Sequence, residues 1–188
     1  MNSSSGGLPN HFSRGMWFRF TLAYAALFLP FSVATPYLQV LLRCRGYGKD
    51  QIGLIVGCFE AMAVLAPPLW GYVADRLHRP KFVLAISIAG AIPAFLLFGA
   101  VSGVMAGVGV AVLVGLFYRP LIPLTDGLTF RHINTYGGDY GSVRIGGSIG
   151  FICWVIMLEA LGMAKSTNGG MILVAMAAAS VLQLASLA

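Results

Sequence analysis

A stretch of 37 residues without a single charged side chain, between Lys81 and Arg119, constrains this chain more than any other feature. One membrane crossing needs about 20 apolar residues, and two crossings joined by a turn need more than about 40. A glycine-rich turn at residues 102–107 divides the stretch where a helical hairpin would bend. The second helix must therefore continue past Arg119. An arginine inside a membrane usually faces protein or a polar cavity.

The composition agrees with a membrane protein and excludes several other classes. Hydrophobic residues make up 58% of the chain and charged residues 10%, whereas a soluble domain carries about 25% charged residues. The net charge of +6 does not indicate nucleic-acid binding, because the basic residues lie between apolar runs. The cysteines Cys44, Cys58 and Cys153 have no disulfide or metal-ligand spacing. We therefore expect a lipid bilayer around the chain, with no metal and no cofactor.

Six transmembrane helices are predicted, at residues 16–42, 51–74, 82–101, 105–129, 140–163 and 170–188. Residues 1–15 are polar and predict a cytoplasmic tail, and residues 16–188 predict one all-α integral membrane bundle. With the N-terminus inside, the inner segments carry seven cations and the outer segments four. This difference favours a cytoplasmic N-terminus. The last helix ends the chain, so we expect either part of a longer protein or a chain that dimerises.

Small residues recur at every fourth position of the predicted fourth helix, and Arg119 is the next position of that stripe. The stripe consists of Gly103, Gly107, Ala111 and Gly115. In lipid, such stripes let helix backbones approach closely. Arg119 is therefore expected to face protein rather than lipid. A similar series on the second helix, at residues 53, 57 and 61, predicts another close contact.

The connection between the second and third helices carries a glycine, an acid–base pair and a basic cluster, in the sequence Gly71-Tyr-Val-Ala-Asp75-Arg76-Leu-His-Arg79-Pro-Lys. Gly71 permits close helix contact, Asp75 can pair locally or cap a helix, and the cations hold the loop at the inner surface. The motif resembles the signature loop of the major facilitator superfamily, although His78 stands where that family usually has glycine. In the family this acid locks one face of the transporter by contacting the opposite half, which the resemblance implies for Asp75.

A second motif has two parts, Pro120-Leu-Ile-Pro-Leu-Thr-Asp126-Gly and Asp139-Tyr-Gly-Ser-Val-Arg144-Ile-Gly-Gly-Ser. It resembles the helix 4 and helix 5 region of the phenylpropionate permease and lactose permease group within the same superfamily. In lactose permease an acid on helix 4 and an arginine on helix 5 bind the sugar, and they match Asp126 and Arg144 at the same separation. The resemblance implies an N-terminal six-helix half, built as a 3+3 repeat bundle in an inner (plasma) membrane.

The four intramembrane charges permit two interpretations each. Asp126 and Arg144 either face each other as a polar substrate site or act as interfacial charges that fix the topology. Glu60 and Arg119 lie at similar depths in their helices, and we predict that they pair across a solute cavity, because an unpaired ion would be costly there. A purely structural ion pair is the alternative. Arg119 and Asp126 are two helical turns apart and could share one cavity wall, and the arginine would suit an anionic substrate.

These observations and the resemblance predict a secondary active transporter, a proton symporter of a small organic solute such as an aromatic acid, a sugar or a nucleoside. A central site between two halves requires a second six-helix half, from a longer chain or from another copy. A homodimerising half-transporter and a non-transporting membrane partner protein remain open. An enzyme is not expected: a membrane phosphotransferase is disfavoured, since Pro123 stands where the first metal-binding aspartate of that family's motif belongs.

Overall fold

The computed structural model describes residues 14–163 and 169–186, and this part of the chain is helical without any strand. Seven helices follow in chain order: α1 (Arg14–Cys44), α2 (Lys49–Leu77), α3 (Pro80–Ala100), α4 (Val104–Tyr118), α5 (Leu121–Tyr136), α6 (Tyr140–Ala160) and α7 (Gly169–Ala185). The all-α prediction is confirmed. Residues 1–13 of the predicted polar tail lie outside the described residues.

Most of these helices are long and apolar enough to cross a membrane. Five stretches meet this condition: Trp17–Cys44, Lys49–Leu77, Pro80–Ala100, Val104–Tyr136 and Tyr140–Ala160. Helices α4 and α5 together form one of these stretches, and α7 is a shorter apolar helix. The described residues therefore give five clear candidate crossings, and the sixth stays a prediction.

The predicted fourth helix is one membrane-spanning stretch, Val104–Tyr136. A local break at Arg119 and Pro120 divides it into α4 and α5, and α5 continues to Tyr136, beyond the predicted end. Pro120 has no backbone N–H and cannot bond to the carbonyl of Leu116, four residues earlier. The indole N–H of Trp70 on α2 donates to that carbonyl instead, at 2.7 Å. A neighbouring helix thus satisfies the backbone group that the proline leaves open, as a broken membrane helix requires.

Each of the first three helices packs against a helix from the second part of the chain. Helix α1 packs against α6 and α7, α2 packs against α4, and α3 packs against α4 and α7. The closest approaches use glycine: a Cβ atom on Gly115 would lie 2.6 Å from the Cβ of Met62, and one on Gly150 would lie 2.9 Å from the Cα of Ala25. The backbones of α4 and α2, and those of α6 and α1, are therefore in close contact.

The small-residue stripe of α4 faces α2, since Gly107 and Gly115 are buried and a Cβ atom on Gly107 would lie 2.9 Å from the Cδ1 of Ile55. The corresponding contact of α2 is not formed within the described residues. Gly53 and Gly57 are exposed, and a Cβ atom on either would meet nothing within 4 Å in the described residues. The buried face of α2 includes instead Ile55, Phe59, Met62 and Ala66.

Candidate functional site

Helices α5 and α6 bring the predicted acid and arginine together. Nη1 of Arg144 donates to Oδ1 of Asp126 at 2.7 Å. Asp139 caps the start of α6, because its carboxylate accepts a hydrogen bond from the Ser142 N–H at 2.7 Å. The side chains of Arg144 and Asp126 are 31% and 22% exposed. We call this contact the Asp126 pair, and its partial exposure lets a ligand reach both charges.

Tyr24 on α1 is a third member of this group that the sequence did not single out. Its hydroxyl donates to Oδ1 of Asp126 at 2.7 Å and lies 3.2 Å from Oγ1 of Thr129. Thr129 in turn donates to the carbonyl of Thr125 at 2.9 Å. The carboxylate therefore accepts hydrogen bonds from two other helices, α1 and α6, and such charge-assisted bonds are among the stronger ones. Tyr24 is fully buried, uncharged and surrounded by other aromatic residues along α1, so no local signal distinguished it.

Aromatic rings surround the Asp126 pair. The guanidinium carbon of Arg144 lies 5.4 Å from the ring centre of Phe28 and 5.7 Å from that of Tyr24, within the range of cation–π attraction. Tyr140 stacks on Phe130 with ring centres 4.3 Å apart, and it meets Tyr24 edge-on at 6.5 Å. Rings beside one donor and one acceptor are typical of sites that bind small molecules with a flat or apolar face.

The second predicted pair, which we call the Glu60 pair, lies at the break between α4 and α5. Nη2 of Arg119 contacts Oε1 of Glu60 on α2, and the guanidinium carbon lies 4.1 Å from the ring centre of Phe59. The side chain of Arg119 is 15% exposed and that of Glu60 is 54% exposed. Nε of Arg119 is buried without a hydrogen-bond partner in the described residues. A buried guanidinium is thus held by one exposed carboxylate and one ring.

Four aromatic rings connect the two arginines in a continuous row, namely Phe59, Tyr118, Phe31 and Phe28. The ring centres of Phe59 and Tyr118 are 6.0 Å apart, those of Tyr118 and Phe31 are 4.3 Å apart, and those of Phe31 and Phe28 are 5.8 Å apart. Tyr118 is buried, and its hydroxyl has no hydrogen-bond partner within the described part of the chain. The Asp126 pair and the Glu60 pair are therefore in contact through aromatic side chains.

The predicted loop motif connects α2 to α3 and is largely exposed. His78 ends α2 with a φ angle of 54°, in the left-handed region that favours glycine. Arg76 donates to a tyrosine hydroxyl one turn earlier at 2.9 Å, and Arg79 precedes the first residue of α3. Asp75 is exposed and takes no part in the two ion pairs of the described residues. A Cβ atom on Gly71 would meet nothing within 4 Å there, so the expected local roles of Asp75 and Gly71 are not formed.

Histidine, cysteine and carboxylate side chains are the usual metal ligands in proteins. Within 14–163 and 169–186, no group of three or more His, Cys, Asp or Glu side chains could hold a metal ion. The charged groups of the site are therefore the two carboxylate–arginine pairs.

Comparison with known sequences gives a family and several relatives. The model of the MFS_1 like family matches residues 17–188. The chain is 30% identical over 138 residues to the maltose permease of Geobacillus stearothermophilus, and the match covers 73% of this chain and 35% of the permease. It is 28% identical over 134 residues to the probable 3-phenylpropionic acid transporter of Escherichia coli, with 70% and 35% covered. It is 32% identical over 117 residues to the putative nucleoside transporter YegT of Escherichia coli, with 61% and 27% covered.

A solved structure has the same fold. The crystal structure of the nucleoside transporter NupG superposes with a TM-score of 0.75 at 24% sequence identity, over 89% of this chain and 43% of that chain. The chain thus spans about a third of the length of the curated relatives it matches and less than half of the length of this structural neighbour.

Proposed function

Because the chain belongs to the major facilitator superfamily, as a member of its MFS_1 like family, we propose that it is the N-terminal six-helix half of a secondary active transporter for a small organic solute. It is a multi-pass membrane protein, and its relatives are transporters. The observation that carries the proposal is the Asp126 pair. Asp126 and Arg144 place an acceptor and a donor, both partly exposed, beside aromatic rings inside an apolar bundle.

The chemistry of the site supports a solute that contains a ring and polar groups. The relatives are named for maltose, for 3-phenylpropionic acid and for nucleosides, and all three kinds of molecule contain a ring with hydroxyl or carboxylate groups. Asp126 accepts hydrogen bonds from hydroxyls, and Arg144 donates to hydroxyls or to a carboxylate in a two-pronged geometry. Tyr140 and Phe130 offer ring faces on which the solute ring can stack.

The Glu60 pair is proposed as a second part of the same cavity. The row of rings from Phe59 to Phe28 joins Arg119 to the Asp126 pair, which supports one cavity wall rather than two separate sites. Glu60 is the more exposed partner, so its carboxylate is accessible to protons and to solute. We infer that the transporter couples solute uptake to proton entry.

The packing supports a bundle made of two three-helix repeats, with the second transporter half as its partner. Helices α1, α2 and α3 each pack against one of α6, α4 and α7, as expected when two sets of three helices interlock. The loop residues Gly71, Asp75, Arg76 and Arg79 have exposed or unpacked surfaces, which supports contact with a second half. The distribution of cations supports a cytoplasmic N-terminus in the inner membrane.

Uptake measurements in cells that express the full reading frame would test this function. Radiolabelled maltose, 3-phenylpropionate and a nucleoside are compared, each with and without a protonophore. We expect saturable uptake of one solute that the protonophore abolishes. In the Asp126→Asn variant, uptake should fall at least about tenfold, because a hydrogen bond to a charged group contributes about 1.5–3 kcal/mol.

The matched control is Asp139→Asn, which removes a carboxylate that caps α6 but does not touch Arg144. This variant should retain most of the uptake at equal protein abundance. Equal losses in both variants would show that the charge is needed only for folding. Saturable uptake that persists with the protonophore would overturn the proton symport and leave the transport function intact.

A further inference from the structure

A cleft with a volume of about 670 Å³ opens at one end of the bundle, between α1, α3, α5 and the end of α7. Asp126, Arg144, Glu60 and Arg119 do not line it. Tyr24 forms part of its wall, while the hydroxyl of the same residue points to Asp126. The cleft is therefore a neighbour of the proposed solute site and has its own lining.

Three cations from three different helices converge on this cleft. Arg19 on α1, Lys81 on α3 and Arg131 on α5 line it and are exposed. None of the six acidic residues of the chain is among the lining residues, and none of the three cations takes part in the two ion pairs of the described residues. Charges of one sign that face a common cleft repel each other, so an anion between them would be stabilised.

The start of α3 adds a second attraction for anions. Pro80 and Lys81 are its first two residues and both line the cleft. The residue before them, Arg79, provides no side-chain cap. Pro80 has no N–H group, but the next N–H groups at the start of a helix have no intrahelical partner and carry a partial positive charge, which favours a phosphate or carboxylate at this position.

The rest of the lining fits a phosphate that is attached to an apolar body. Thr135 and Tyr136 are further polar residues of the lining, although the Thr135 hydroxyl donates to the carbonyl of Arg131 at 3.0 Å. The apolar side chains of Phe20, Leu84 and Leu128 form other parts of the wall. Clefts of basic residues between membrane helices on the cytoplasmic side are suited to anionic lipid headgroups. A soluble phosphate has the same oxygen atoms and would meet the same donors.

We propose that this basic cleft is a phosphate-binding site, in which Arg19, Lys81, Arg131 and the start of α3 hold the phosphate oxygens. The phosphate belongs to an anionic phospholipid headgroup or to a soluble phosphate, and the two sources share the chemistry that the cleft recognises. The site does not depend on the identity of the transported solute.

Native mass spectrometry of the detergent-purified full chain tests the proposal, with phosphatidylglycerol, zwitterionic phosphatidylcholine and inorganic phosphate as separate probes. We expect phosphatidylglycerol to be retained in preference to phosphatidylcholine. In the double variant Lys81→Gln/Arg131→Gln, its affinity should fall at least about tenfold. The control variant Arg76→Gln/Arg79→Gln removes two exposed cations from the adjacent loop, outside the cleft, and its affinity should change less than about twofold.

The two anionic probes, phosphatidylglycerol and inorganic phosphate, also distinguish the source of the phosphate. Retention of phosphatidylglycerol without binding of inorganic phosphate assigns the cleft to a lipid headgroup, and binding of inorganic phosphate assigns it to a soluble phosphate. As an independent measurement, a cysteine introduced by Thr135→Cys should react more slowly with a maleimide when the bound probe is present. Equal losses in the two double variants, or no binding of either anionic probe to the parent protein, would overturn the proposal.

Discussion

The two carboxylate–arginine pairs of this chain use the same chemistry in different surroundings. In the Asp126 pair both side chains are partly exposed, and Tyr24 adds a second donor to the carboxylate. In the Glu60 pair the arginine is largely buried, the carboxylate is mostly exposed, and Nε of Arg119 lacks a partner in the described residues. One pair is a hydrogen-bonded network among three helices, and the other is a single ion pair in which the buried cation also contacts one ring.

Because of this difference, substitutions in the Asp126 pair and in the Glu60 pair should have different effects. A networked pair can exchange one hydrogen bond for a ligand without leaving a charge unpaired, which suits solute binding. The Glu60 pair cannot make this exchange, because loss of the carboxylate contact leaves the desolvated guanidinium of Arg119 without a counter-charge. The Asp126 pair should therefore matter more for solute binding, and the Glu60 pair more for stability.

The largest effect on stability is expected for Glu60→Gln. This substitution removes the charge that compensates Arg119, and it should lower the free energy of unfolding by about 2 kcal/mol. Denaturant unfolding of the purified protein in micelles measures the change. The double variant Glu60→Gln/Arg119→Gln should recover part of the loss, since neither charge remains.

Asp75→Asn is the matched control, because Asp75 is exposed and belongs to neither ion pair. Its free energy of unfolding should change by less than about 0.5 kcal/mol. A Glu60→Gln protein that is as stable as the parent and transports equally well would show that Arg119 does not need this partner.

A smaller effect is expected for Tyr24→Phe, which keeps the buried ring and removes the hydroxyl that donates to Asp126. Loss of one hydrogen bond to a charged group should lower the free energy of unfolding by about 1.5 kcal/mol. The apparent affinity for the solute should also fall, because the Asp126 carboxylate loses one of the groups that position it.

The control for the tyrosine substitution is Tyr47→Phe, whose hydroxyl donates to the carbonyl of Gly103 at an exposed position. It should lower the free energy of unfolding by about 0.5 kcal/mol and leave solute affinity unchanged. If Tyr24→Phe behaved like this control, the Asp126 pair would be a simple two-member contact, and the contrast with the Glu60 pair would disappear.

The smallest effect is expected for Trp70→Phe, at the helix break that contains Arg119 of the Glu60 pair. The carbonyl of Leu116 would lose its only side-chain donor among the described contacts, at a cost of about 1 kcal/mol. In a Pro120→Ala background the backbone N–H returns and can bond to Leu116, so the same tryptophan substitution should have little effect. A double-mutant cycle of unfolding free energies measures this coupling.

The charges of the site were predictable because charged residues in apolar helices are rare and costly, so each one requires a partner. This argument predicts the pairing of Glu60 with Arg119, whereas the pairing of Asp126 with Arg144 was implied by the resemblance to lactose permease. It could not identify Tyr24, because an uncharged tyrosine among aromatic residues has no comparable cost in sequence. Its partner becomes evident only where α1 crosses α5.

The break at Pro120 was not predictable from proline alone. Pro30 and Pro36 lie inside α1, and Pro67 and Pro68 lie inside α2, and neither helix is divided. What sets Pro120 apart is the Trp70 indole on a neighbouring helix, which is a tertiary contact. Similarly, Gly53 and Gly57 have the spacing of a small-residue contact, but spacing alone does not determine which face of α2 packs against another helix. That face depends on where the other helices lie.

Two tryptophans lie at the two helix contacts that hold the arginines, so their fluorescence can report on these contacts. Nε1 of Trp17 donates to the Ser142 hydroxyl across the contact between α1 and α6, at 3.2 Å, and Trp70 donates across the contact between α2 and α4. Indole emission responds to the hydrogen bond of its N–H group and to the entry of water. In two variants that keep only Trp17 or only Trp70 of the three tryptophans, native fluorescence would report separately on the helix contact beside Arg144 and on the one beside Arg119, without any attached dye.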